Sequence, residues 1–272
     1  MKTAHTHNNA FTLVELLVTI AVVGILAAIT ISAVGRVKES AYKASDLSAA
    51  RQIMSAYLTV PQDNDGRLLP SVLSEDDELS MKILDHNGDP ILAAEVKNRY
   101  VFRLLPYAGG IDLFYPGRSQ THLSEIRDIN PYYTSYFPSF GMNSEYTGGD
   151  YRIMSGRHRV SRDPTYAVLT LAQSTCPSEH IVFVSTHSDL DDADTDAEYA
   201  GYFDVKPPTQ WSGSYNEDRP SRMGNVHLRY DNKAIVAHLD GSVDMLTEDE
   251  LKDMRRWSNV ARNTNNPDYN AR

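Results

Sequence analysis

The sequence has a single cysteine, Cys176, among 272 residues. An intrachain disulfide is excluded, so an exported domain built from this chain must stand on its hydrophobic core or on bound ions. A buried, inert thiol is the expectation for Cys176, with an intermolecular bridge as the other reading. Positive charge is also scarce: 26 Lys and Arg face 36 Asp and Glu, for a formal net charge of −10. That balance disfavours a nucleic-acid partner, which needs a basic surface. The chain lacks a Gly-x-Ser-x-Gly elbow, a His-Glu-x-x-His helix, a phosphate loop and a dinucleotide fingerprint, and it shows no internal repeat. No catalytic residues are assigned and no enzyme is expected. Ser185, His187 and Asp189 alternate along one segment, an arrangement that does not set a nucleophile, a base and an orienting acid against one another. His158, His180, His227 and His238 are scattered and read as ordinary surface or core histidines.

What the chain does have is one long apolar run. It begins at Phe11, directly after Ala10, and after Glu15 carries no further charge as far as Val34. Those 24 residues make a helix of ~36 Å, enough to cross a hydrocarbon core of ~30 Å. A carboxylate inside such a helix costs ~2.5–3.5 kcal/mol on insertion scales, which makes Glu15 a candidate functional group. A Glu that snorkels to the headgroups is the plainer alternative. An ordinary secretory signal, cleaved near Ser32-Ala33, competes as a reading of the whole run. Against it, the run is too long and has Glu15 within it.

The stretch Ala10-Phe11-Thr12-Leu13-Val14-Glu15 resembles the N-terminal signature of type IV pilins and type II secretion pseudopilins. The resemblance implies a leader of residues 1–10, cleavage between Ala10 and Phe11 by a membrane prepilin peptidase, and N-methylation of the new Phe11 amine. It assigns Glu15 to assembly, as the counter-charge of the Phe11 amine on an adjacent subunit. The implied protein is a structural subunit of a type IV pilus-like or pseudopilus filament, single-pass in the bacterial inner membrane, with the C-terminal domain in the periplasm or on an extracellular filament. Its partners would be the peptidase, other pilin or pseudopilin subunits and the membrane. Arg36, Lys38 and Lys43 follow the run while only Lys2 precedes it, a bias that taken alone would place the C-terminal side in the cytoplasm. An exported soluble or membrane-anchored binding domain is the alternative function.

Beyond the run, Val34, Val37, Ala41, Ala44, Leu47, Ala50, Met54 and Tyr57 recur at helical spacing, with Asp46 mostly off that stripe. A helix over residues 11–60 is expected, ended by Pro61 and Asp63-Asn64-Asp65-Gly66. A globular domain then spans 61–257 and a disordered tail 258–272. Strands are expected at Tyr100–Leu105, Ala167–Leu171, His180–Ser185, Val226–Tyr230, Ala234–Leu239 and Ser242–Leu246, with tight turns at Asp231-Asn232 and Asp240-Gly241. Thr247 to Glu250 reads as a capping box opening a helix to about Trp257. The fold class is therefore α+β, a long N-terminal helix packed on an antiparallel sheet with large loops. Asn130 to Tyr151 reads as an irregular aromatic loop. Its Tyr132, Tyr133, Tyr136, Phe137 and Phe140 form either a packed cluster or a glycan- or partner-binding surface.

Several of these segments resemble large pilin-like proteins of planctomycete and verrucomicrobial type: Tyr57 through Leu68, Phe140-Gly141-Met142-Asn143, and an ending with Asp240-Gly241. In that ending the signature His position holds Tyr230. Asp189, Asp191, Asp192, Asp194 and Asp196 are weak candidates for Ca²⁺, the one cofactor considered. An EF-hand is excluded by Ala197, and a solvated acidic loop is the plainer reading. Asp63 and Asp65 are a second weak Ca²⁺ candidate, read more simply as a turn.

Overall fold

A computed structural model of the chain describes residues 13–73, 82–149, 166–189 and 200–270. Its contacts divide the chain after Tyr42 into an N-terminal unit and a unit from Lys43 onward. Helix α1, Leu13–Asp63, belongs to both. It runs past the expected stop, with Pro61 in its last turn. The helix closes where Asp65 and Gly66 take positive φ, 49° and 76°, and the Gly66 N–H donates to the Pro61 carbonyl at 2.8 Å. A left-handed residue at a helix end satisfies a carbonyl that has no partner within the helix.

In the larger unit, the buried face of α1 is Asp46, Ala49, Ala50, Ile53, Met54, Ala56, Tyr57 and Val60. Each large apolar side chain on it contributes ~1.5–3 kcal/mol on burial. The expected stripe is met at Ala50, Met54 and Tyr57, while Ala44 stays exposed. Asp46, read from sequence as lying mostly off the stripe, is instead 1% exposed.

Among the described residues four short α-helices follow before the sheet: α2, Ala94–Lys97; α3, Tyr100–Ala108; α4, Ser119–Ile126; and α5, Pro131–Tyr136. Helix α3 replaces the strand expected at Tyr100–Leu105. Aromatic and β-branched residues there favour a strand by type, but Tyr100 to Leu104 are buried in succession and the segment ends in a helical C-cap, Gly109 at φ 80°. Helix α5 lies within the expected aromatic loop. Pro131 opens it, and the Asn130 side chain accepts the Tyr132 N–H at 2.9 Å.

The sheet has five strands: β1, Phe140–Asn143; β2, Ile181–Ser185; β3, Asp204–Val205; β4, Lys233–His238; and β5, Val243–Thr247. Their spatial order is β3-β1-β2-β4-β5. The sheet is mixed, because β3 runs parallel to β1 while the other pairs are antiparallel. Expected strands at Ala167–Leu171 and Val226–Tyr230 are reduced to isolated bridges, such as Thr147 to Val168 and Thr186 to Val226. The turns are as expected. Asp231 and Asn232 both take positive φ, 53° and 55°, between the bridged Tyr230 and Lys233, and Gly241 sits at 92° between β4 and β5.

Both faces of the central strands are covered, which explains their unbroken apolar runs. On one face Phe183 meets Tyr57 of α1, centroids 5.5 Å apart, and Tyr100 of α3 at 5.3 Å. On the other, Ile181, Val184, Ala234 and Val236 pack with Leu251, Met254, Trp257 and Ala261. A register shift between Ile181 and Phe183 lets these two residues, two positions apart and otherwise on the same face, serve opposite faces of the sheet.

The C-terminal region departs from expectation by being more ordered. The Thr247 capping box is present, but its helix α6 is short, Glu248–Leu251. A 3₁₀ turn at Met254–Arg256 leads to Trp257, and α7 forms at Asn259–Asn263 with Ser258 as its cap. The expected tail is pinned as well: the Met254 N–H donates to the Pro267 carbonyl at 2.9 Å. Cys176 is a free thiol of intermediate exposure rather than a buried one.

Candidate functional site

The candidate site begins with the N-terminal part of α1. Its apolar side chains are exposed around the whole circumference, from 48% at Val34 to 80% at Leu13. A helix that is apolar all round and uncovered within its own chain requires another apolar medium. By length and composition it suffices to cross a membrane. Its hydroxyls turn inward to their own backbone: Thr19 Oγ1 donates to the Leu16 carbonyl at 2.8 Å, and Thr30 Oγ1 to that of Leu26 at 2.7 Å. Such back-bonding lets polar side chains enter hydrocarbon without an unmet donor. Glu15 lies in the first turn and is exposed. A negative charge there is also favoured by the helix dipole. Ala10 and Phe11 lie outside the described residues.

In the larger unit, α1 is fastened by a polar clamp to the C-terminal hairpin that Arg229 and Tyr230 form with β4 across the Asp231-Asn232 turn. The buried Asp46 carboxylate accepts from Arg229 Nη1 at 2.8 Å and from the Tyr230 hydroxyl at 3.0 Å. Arg229 Nη2 in turn donates to the carbonyls of Thr186, at 3.1 Å, and Ser139, at 3.3 Å. Lys43 reaches Asp231 at 2.7 Å, a solvent-exposed pair that adds little. Sequence reasoning missed this clamp. The signal was present in the spacing, since Asp46 stands one helical turn before Ala50 on the face that continues through Ile53 and Tyr57.

The other candidates fare less well. Ser185 Oγ donates to the His227 carbonyl and accepts the Ile235 N–H, so it is engaged in the sheet. His187 Nδ1 faces the Ala200 carbonyl at 2.7 Å. Asp189 accepts from Ser221, while Asp191, Asp192, Asp194 and Asp196 lie outside the described residues. Among the described residues no group of three or more His, Cys, Asp or Glu is placed to hold a metal ion. Asp63 accepts from the Tyr107 hydroxyl at 3.1 Å, and Asp65 belongs to the turn. The aromatic residues are packed on one another. Tyr132 and Tyr136 stack with centroids 5.4 Å apart, both rings lie over the Arg99 guanidinium at 4.3 and 4.4 Å, and Phe137 and Phe140 are buried.

His180 is buried beside the Thr147 hydroxyl at 2.9 Å. Burial, helped by the nearby His238, pushes its imidazole down to about 4. The folded value lies below the unfolded value of ~6.5, so the unfolded chain binds the proton first. The stability His180 contributes is whole above about pH 6.5 and is lost as pH falls toward about 4, by about 3 kcal/mol in all. Thermal unfolding of the detergent-held chain should show Tm dropping across that window. A His180→Asn variant should show a shallower drop, and equal slopes for the two proteins would contradict the assignment.

Residues 5–31 match the family described as the prokaryotic N-terminal methylation motif. No curated protein and no solved structure matches the chain. The match supports a type IV pilin-like protein with a prepilin-type N-terminus, and together with the apolar part of α1 it fits a membrane-anchored, single-pass chain.

Proposed function

We propose that this chain is a structural subunit of a type IV pilus-like or type II secretion pseudopilus filament. Prepilin peptidase cleaves it after Ala10, the Phe11 amine is methylated, and α1 holds the subunit in the inner membrane until it joins other subunits. The C-terminal domain is then periplasmic or displayed on the filament. One observation carries this reading: a helix apolar around its whole circumference bears a single carboxylate in its first turn, inside a methylation motif. A charge in hydrocarbon is expensive, and an ammonium on an adjacent subunit offsets much of that cost. The resemblance to the large planctomycete and verrucomicrobial type belongs to the same proposal, with Tyr230 at the signature His position.

Mass spectrometry of the mature protein tests the processing. The expected N-terminus is Phe11 carrying one added methyl group. Replacing Ala10 with Glu should block the peptidase and leave the leader attached, with the chain still in the membrane. A mature start near Ala33 or Val34 would instead support an ordinary signal peptide and an exported domain outside any filament.

A further inference from the structure

The clamp on α1 shares a member with a pair of histidines. His187, just past β2, and His227 stack with ring centroids 5.1 Å apart and planes at 29°. Their backbones are cross-linked: the His187 N–H donates to the Asn225 carbonyl and the His227 N–H to that of Ser185. The partners fix both tautomers. A carbonyl only accepts, so His187 Nδ1 carries the proton it shows to Ala200. Arg229 only donates, so His227 Nδ1, 3.4 Å from Arg229 Nε, is the bare nitrogen. In neutral His227 the proton is therefore on Nε2.

A second proton on His227 has only Nδ1 to occupy. It would turn the acceptor facing Arg229 into a donor and set two cations against each other. We propose that His227 is an acid-sensitive latch: protonation at Nδ1 displaces Arg229 and releases the Asp46 clamp that holds the Lys43-proximal turns of α1 against the C-terminal hairpin.

The surroundings favour this outcome. Arg229 follows His227 on its own segment, His187 stacks on it from the end of β2, and Arg118 approaches from the start of α4. The Tyr215 ring stacks at 6.5 Å, and its backbone N–H is held by the Glu248 carboxylate at 3.3 Å. Arg229 and the Tyr230 hydroxyl both bond Oδ2 of the buried Asp46 carboxylate. Burial first, and then the charges of Arg229, His187 and Arg118, hold the His227 imidazole well below its ordinary value. The neutral, latched form is thus the resting state near neutrality, and acid must overcome that preference.

Pulsed electron spin resonance on the full chain in nanodiscs tests the latch. In a Cys176→Ser background, spin labels at Ser48→Cys and Lys252→Cys report α1 against the domain, and labels at Asp128→Cys and Lys252→Cys report the domain alone. Between about pH 7.5 and about pH 4, low enough to reach an imidazole held well below its ordinary value, the first distance distribution should broaden and the second stay narrow. His227→Gln, which keeps an acceptor and cannot titrate, should hold the first distribution narrow at both values. Asp46→Asn should broaden it at both. The proposal is overturned if the first pair does not respond to acid, if both pairs broaden together, if His227→Gln broadens like the parent chain, or if Asp46→Asn stays narrow. The two label pairs in the parent chain decide the matter even if a variant fails to fold.

Discussion

Glu15→Gln should yield a processed subunit that accumulates in the membrane and is absent from the sheared filament fraction. The substitution keeps the size of the side chain and its ability to hydrogen-bond while removing the charge. Insertion becomes easier, by less than the ~2.5–3.5 kcal/mol that a carboxylate at the helix centre costs, since Glu15 lies in the first turn. Docking becomes harder, because the amine of the adjacent subunit loses its counter-charge where the dielectric is low. The two effects have opposite sign, so a defect in assembly together with normal membrane yield separates a pairing role from a mere folding role. Leu at position 15 should behave the same way. Incorporation of Glu15→Gln at parental levels, scored by immunoblotting sheared filaments, would leave Glu15 as a feature of processing alone.

Trp257→Ala should destabilise the domain by ~3–5 kcal/mol, the range for deleting a buried indole. Trp257 is fully buried, stands edge-on to Trp211 with centroids 6.5 Å apart, and donates Nε1–H to the Leu251 carbonyl at 2.8 Å. Its own carbonyl accepts from Asn143 Nδ2, which also binds the Ile181 carbonyl. The substitution opens a cavity beneath β2 and β4 and leaves the Leu251 carbonyl without its donor. Since whole domains rest on ~5–15 kcal/mol, a large fall in Tm and poor accumulation are expected, with Trp257→Phe intermediate. A change of less than ~1 kcal/mol would mean that the segment after β5 is not part of the core.

These two sites differ in how far the sequence revealed them. The motif around Glu15 was legible because it is local: a small residue, Phe11 and one carboxylate at the start of an apolar run, within the matched residues 5–31. The β4–β5 hairpin was legible for the same reason, through alternation around Asp240-Gly241. Tyr100–Leu105 was misread because residue type suggested a strand, while the contacts with Phe114 and Phe183 that favour a helix come from elsewhere in the chain. The role of Trp257 depends on Asn143 and on Leu251 turning back toward it. Asp46 was misread because an acid next to a stripe normally faces water, and only a partner 183 residues away makes its burial tolerable. The Ca²⁺ candidates past Asp189 and the processing pair Ala10 and Phe11 lie outside the described residues.

That separation also has a consequence in time. At ~5–20 residues per second, the ribosome needs ~10–40 s to travel from Asp46 to Arg229. Arg229 and Tyr230, which close on Asp46, are made late, and so is the segment carrying Trp257. Until β2 is made, the face bearing Ala50, Ile53, Met54 and Tyr57 lacks Phe183, the sheet residue that meets Tyr57. The nascent chain therefore depends on its surroundings, bilayer or chaperone, before it can depend on itself. Slowing synthesis late in the chain should raise losses to proteolysis more than slowing it early.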